Sequence, residues 1–209
     1  MTRTELLKIA DVVFRHNLLV ITDEIYAELT YDTQHTSIVS LPGMKDRTIF
    51  LHGFSKAWAM TGYRLGYAMG PEILIEAMMK VHQYTMLCAS SLAQKAAIEA
   101  LTRPEVDVGE MVAEYRRRRN YLASAFADMG LECHRPLGAF YAFPSVAKFG
   151  LKSKDFALKL LHEEKVAAVP GTAFGDCGEG FIRCAYATNL EKIKEAMARL
   201  QRFTDRLKG

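Results

Sequence analysis

The segments LLVITDEIY (residues 18–26) and TIFLHGFSKAWAMTGYRLGYAMGP (residues 48–71) decide how this sequence is read. Leu18 to Thr22 is a short apolar run, partly β-branched and without alternation, the pattern of a strand covered on both faces. Thr48 to His52 is a second such run. The link from Asp23 to Arg47 is long enough for a parallel crossover, which would be right-handed. Leu65 to Met69, bounded by Gly62 and by Gly70 and Pro71, is a third strand. The link from Gly53 to Arg64 is too short for a parallel return, so this strand is expected to run antiparallel to the second.

That topology places polar residues together. Asp23 follows the first strand and Lys56 the second, so parallel strands put both at the carboxyl edge of the sheet, where open α/β sheets bind ligands. Arg64 opens the returning strand at the same edge, with Ser55 and Tyr26 alongside. The convergence is a candidate site. Each residue also has a plainer reading: Asp23 and Glu24 as helix caps, Lys56 as a solvated loop lysine, Arg64 as one half of a surface ion pair. A serine–lysine hydrolase is disfavoured, because Ser55 and Lys56 are adjacent rather than spaced as S-x-x-K on one helix face.

Outward from this centre, Thr4 to His16 has apolar residues at helical spacing. Helices are expected at Glu72 to Tyr84, at Ser91 to Thr102 before Pro104, and from Val106 to Met129, ending at Gly130. Beyond lie short strands, Leu131 to His134, Ala139 to Phe143, Val166 to Val169 and Phe181 to Tyr186, interleaved with helices Ser153 to Glu164 and Leu190 to Leu207. The reading is α/β, with a boundary near residue 110 dividing a first domain (1–110) from a smaller α+β domain (111–209).

Composition excludes several classes. The 209 residues are 50% hydrophobic, and 27 basic against 24 acidic side chains leave a net charge of +3. A disordered or fibrous chain is excluded, and nothing in the net charge calls for nucleic acid or an anionic membrane. No apolar run approaches the roughly 20 residues of a membrane span, and no secretory signal follows Met1. Cys88, Cys133, Cys177 and Cys184 lack CxxC or metal-ligand spacing, so they are read as reduced, mostly buried thiols of a cytoplasmic protein, with no metal site. His162 lacks the second histidine of a zinc helix. Arg116 to Arg119 is read as a solvated helix face, and His52 as either a strand-end residue or a cofactor neighbour.

Four stretches, ITDEIYAELTYD (21–32), IFLHGFSKAWAMTGYRLGYAMGP (49–71), AVPGTAFG (168–175) and FIRCAYATNLEKIKEAM (181–197), resemble class I/II pyridoxal-phosphate-dependent aminotransferases of fold type I, in that family's order and over nearly the whole chain. The resemblance implies a large-domain sheet, mostly parallel with one antiparallel strand, followed by a small domain. It implies pyridoxal 5′-phosphate as cofactor, with Lys56 as the Schiff-base lysine and proton carrier. Asp23 would face the pyridine nitrogen, Tyr26 the cofactor's phenolic oxygen, and Ser55 and Arg64 the phosphate. Arg183 would hold the substrate α-carboxylate through two parallel hydrogen bonds.

Where some members carry a hydroxyl residue three positions before the lysine, this chain has Gly53. Fold type I enzymes are about twice this length, and the family's Gly-rich phosphate turn, ring-stacking aromatic residue and N-P-T-G asparagine are absent, so the chain resembles a C-terminal half beginning inside the large domain. The implied activity is amino-group transfer from an L-amino acid (aspartate, alanine or aromatic) to a 2-oxo acid, by a homodimer in the full-length protein. The alternatives are a non-catalytic ligand-sensing or truncated module, and a lyase using the same cofactor.

Overall fold

The computed structural model describes residues 1–208, the side chains of 104–107 excepted. It divides into two units, Met1–Val112 and Ala113–Gly209.

In the first unit, helix α1 (Arg3–Arg15) begins a residue earlier than its apolar period suggests, because Thr2 and Glu5 form a capping box. The Thr2 hydroxyl accepts from Glu5 N (3.3 Å), and the Glu5 carboxylate accepts from Thr2 N (2.6 Å). Leu6, Ala10 and Val13 bury one stripe against Ile38, Leu41 and Met44. Strands β1 (Val20–Asp23), β2 (Thr48–Gly53) and β3 (Gly66–Met69) form a sheet in that order. β1 pairs parallel to β2, with Asp23 opposite Leu51, and β2 pairs antiparallel to β3, with Gly53 opposite Gly66. Both expected directions hold.

The link between β1 and β2 contains no α-helix; it is a chain of turns pinned by a carboxylate. Glu24, 6% exposed, accepts from His35 Nε2 (2.6 Å), Ser37 Oγ (2.8 Å) and Thr22 Oγ1 (3.2 Å). A buried carboxylate with three partners satisfies what a helix cap could not. In this chain β1 is not covered on both faces: Leu19 is 64% and Ile21 69% exposed, where part of the relatives' length has no counterpart here. Helices α2 (Glu72–Thr85) and α3 (Ser91–Thr102) follow, and α4 (Pro104–Asp128) runs across the division between the units.

In the second unit, Gly130 in the left-handed region (φ 65°) ends α4, and Leu131 N donates back to Phe126 O at 2.8 Å. The strand expected at Leu131 to His134 is absent. That segment contributes Glu132 O as acceptor for Ser145 N (2.7 Å), a single bond rather than a ladder. Strands β4 (Tyr141–Ala142), β5 (Val169–Pro170) and β6 (Ile182–Ala185) form an antiparallel sheet in the order β4-β6-β5. Helices α5 (Ser153–Glu164) and α6 (Leu190–Arg206) bury Phe156, Leu160, Leu200 and Phe203, with the Phe156 and Phe203 rings edge to face at 5.1 Å.

Two surface expectations are corrected. Arg119 is 1% exposed and donates from Nη1 to Pro136 O (2.7 Å), because four successive helical positions point around the cylinder and one must point inward. Cys88 and Cys177 are exposed, since Cys88 lies in the link between α2 and α3 and Cys177 in the single 3-10 turn Asp176–Gly178 rather than in core-facing elements. Among the described residues no helix is long and apolar enough to cross a membrane.

Candidate active site

Parallel pairing of β1 with β2 carries their carboxyl ends side by side, and the ladder closes with Glu24 N donating to Leu51 O (2.9 Å). Asp23, the last residue of β1, is exposed, and its Oδ1 accepts from Ile25 N (3.1 Å). That bond orients the carboxylate and leaves its other oxygen available to an incoming donor. The turn that follows is closed by Ala27 N to Glu24 O (2.9 Å) and Leu29 N to Tyr26 O (3.0 Å), and it carries Tyr26.

After β2 the chain makes a second turn, closed by Met60 N to Phe54 O (3.1 Å) and Ala59 N to Lys56 O (3.2 Å). Phe54 and Met60 bury against Ala97 of α3, with Trp58 and Leu65 packed around them, so the turn sits on an apolar floor. Lys56 projects from it with Nζ 5.9 Å from the Tyr26 ring centroid, over the ring. Ser55, half-buried, is adjacent.

Arg64 ends the short helical turn Thr61–Tyr63, two residues before β3 rather than as its first residue. Its backbone is left-handed (φ 52°, ψ 49°), a conformation that costs a non-glycine residue and concentrates at functional positions. Nη1 donates to Thr61 O (3.1 Å), and among the described residues the guanidinium meets no carboxylate. Most of its donors therefore face outward, at the end of the sheet where Lys56 lies.

The structure also explains Gly53. A Cβ there would lie 2.9 Å from Leu65 O and 3.0 Å from the Gly66 Cα, both backbone atoms, so a hydroxyl side chain has no room without separating β2 from β3.

Asp23, Tyr26, Ser55, Lys56 and Arg64 all lie at one end of the first unit's sheet. Arg183 belongs to the second unit, in the middle of β6. Its guanidinium carbon lies 4.5 Å from the Tyr141 ring centroid and 4.4 Å from that of Phe174, over both rings at cation–π range. Among the described residues it too meets no carboxylate. A guanidinium that contacts aromatic rings keeps its N–H donors available to an anion. The sequence reading missed both rings. Tyr141 could have been found, since β4 pairs Tyr141 with Ala185, two residues from Arg183 and within diagonal reach. Phe174 arrives from the turn Gly171–Phe174, which no periodicity announces.

Residues 1–200 match the family model of aminotransferase class I and II. The chain belongs to this family. The aspartate aminotransferase of Pyrococcus abyssi is 46% identical over 203 residues, covering 96% of this chain and 52% of that one. Aromatic-amino-acid aminotransferase 2 of Thermococcus litoralis is 44% identical over 205 residues, covering 97% of this chain and 53% of its own. The crystal structure of the aromatic aminotransferase from Pyrococcus horikoshii superposes with a TM-score of 0.97 at 46% identity, over 100% of this chain and 57% of that one. The fold is thus the α/β fold of type I aminotransferases, and the chain spans about half the length of the curated relatives it matches.

Proposed function

We propose that this chain is part of a pyridoxal-phosphate-dependent aminotransferase that transfers the amino group of an L-amino acid to a 2-oxo acid. The observation that carries the reading is the convergence, at one end of a parallel strand pair, of the Lys56 amine over Tyr26, the Asp23 carboxylate and the Arg64 guanidinium, whose Nη1 bonds, among the described residues, only to a main-chain oxygen, that of Thr61. The donor set fits the cofactor. Lys56 supplies a primary amine for its aldehyde carbon, Asp23 an acceptor for a protonated ring nitrogen, Tyr26 a phenol beside the ring oxygen, and Ser55 with Arg64 donors for the phosphate. When bound, the protonated ring supplies an electron sink for the substrate's Cα–H bond.

The chain's own residues then divide the work. Lys56 moves the proton at Cα, Asp23 keeps the ring nitrogen protonated, and Arg183, steadied by Tyr141 and Phe174, grips the α-carboxylate. Relatives named for aspartate and aromatic amino acids support those substrates. Residues 1–110 serve as the cofactor-binding portion and 111–209 as the small domain. Exposed Leu19, Ile21, Ile73, Val81 and Tyr84 are covered by the rest of the fold in the complete protein, which works as a homodimer.

Borohydride reduction of the 209-residue chain with pyridoxal 5′-phosphate tests the assignment. Peptide mapping should place the label on Lys56 ahead of the other lysines, and Lys56→Ala should remove it. Labelling spread evenly over the exposed lysines would refute the site.

A further inference from the structure

We propose that His52 and Glu28 form a brace that positions Lys56 against Tyr26. The proposal rests on the reading of Lys56 and Tyr26 as site residues and adds a second pair that touches neither cofactor nor substrate. The β1–β2 ladder ends at Asp23 and Leu51, with Glu24 N on Leu51 O. Past that bond the two chains separate into the turn carrying Tyr26 and the turn carrying Lys56. Their relative placement then depends on whatever ties the turns together.

His52, on β2, is buried, and its Nδ1 accepts from Gly53 N at 2.7 Å. An accepting Nδ1 assigns the proton to Nε2, which donates to Glu28 Oε2 at 3.1 Å. Glu28 lies two residues past Tyr26, in the same turn. The imidazole cannot swing away: Phe50 stacks on it (5.7 Å, 8°), Tyr67 lies at 5.5 Å and 30°, and Trp58 meets it edge-on at 6.1 Å. Trp58 lies two residues past Lys56. One end of the brace is therefore anchored in the lysine's turn and the other in the tyrosine's turn.

The charge state supports the geometry. Burial pushes the Glu28 carboxyl up, but the hydrogen bond from His52, aided by Glu28's own backbone, holds it below its ordinary value. Burial and the facing Glu28 charge push the Tyr67 phenol up. Glu28 is thus an ionised acceptor at neutral pH, and its bond to His52 is charge-assisted.

The test uses the 209-residue chain and two readouts. The first needs no cofactor: the Lys56 side-chain NMR resonances, shifted by the Tyr26 ring and assigned by the loss of that shift in Tyr26→Leu. The second is the rate of Lys56 labelling by pyridoxal 5′-phosphate and borohydride. Glu28→Ala should abolish the ring shift and slow labelling roughly tenfold, the scale of one hydrogen bond to a charged group. Glu28→Gln, which keeps an acceptor oxygen, should preserve both. The methyl resonances of Leu6 and Val13 in α1 monitor folding. If Glu28→Ala loses them, Glu28→Asp, which keeps the charge but withdraws it from His52, takes its place with the same expectation. An unchanged ring shift in these variants, or a loss as large in Glu28→Gln, overturns the brace. A ring shift that follows the variants while wild-type Lys56 takes no preferential label upholds the brace and overturns the cofactor reading instead.

Discussion

Replacing Gly171 by alanine should unfasten the turn that holds Phe174 against Arg183. Gly171 and Gly178 meet backbone to backbone: a Cβ on Gly171 would overlap Gly178 O and lie 2.9 Å from Phe181 O. Neither obstacle is a flexible side chain, so the new methyl must retreat by at least about 1 Å, taking the main chain with it. That movement breaks the bond from Gly171 N to Phe181 O (2.8 Å) and carries Phe174 away from the Arg183 guanidinium, now 4.4 Å from its ring. Overpacking costs about 2 kcal/mol and the lost hydrogen bond about 1 kcal/mol more, so Gly171→Ala should destabilise this region by about 3 kcal/mol. The assay is amide hydrogen exchange at Ile182–Ala185, where protection should fall roughly a hundredfold. Trp58, the single tryptophan, lies in the other unit, so its fluorescence through urea unfolding separates a local effect from loss of the whole fold. Protection within about threefold of wild type would show that the two glycines are not in rigid contact, and the steric argument would fail.

Two further outcomes follow from the second unit's electrostatics and from the thiols. Glu179 is held below its ordinary value of 4.5 by backbone bonds from Ser153 and then Gly180, and Glu164 by the Arg206 guanidinium and, after a smaller opposing effect of burial, by Arg202. Because these carboxyls are more acidic folded than unfolded, their contribution is complete above the unfolded value and disappears as pH falls through the lowered folded value. The thermal stability of the second unit should fall on acidification below about pH 4.5, and a Glu164→Gln, Glu179→Gln double variant should flatten that limb; an equally steep limb in the variant would count against the assignment. Iodoacetamide followed by mass mapping should modify exposed Cys88 and Cys177 first and Cys184 last, since burial pushes the Cys184 thiol up to about 12. Early alkylation of Cys184 would contradict that burial.

Local patterns and chain connectivity were enough to assign the three central strands, their directions and all six helices to within a few residues. An apolar run between punctuating residues, and the length of the link that follows, constrain direction without knowledge of tertiary contacts. Periodicity began α1 at Thr4; the Thr2–Glu5 capping box, a local signal, sets the start at Arg3. The segment Leu131 to His134 misled because apolar character predicts burial, whereas a strand requires a partner to accept its ladder, and Ser145 supplies a single bond.

For the candidate site, the sequence by itself determined which residue types stand at the ends of β1 and β2, because the link is long enough for parallel pairing, and that pairing, once formed, brings Asp23, Tyr26 and Lys56 to one edge. Only the tertiary structure decided the groups that hold them: the His52–Glu28 bond, the Phe174 and Tyr141 rings on Arg183, the missing space at Gly53, and the buried Glu24 in place of a crossover helix. These contacts join residues far apart in the chain through directions in space. Hydrophobic periodicity records which face of an element is buried, but not which distant atom it meets there.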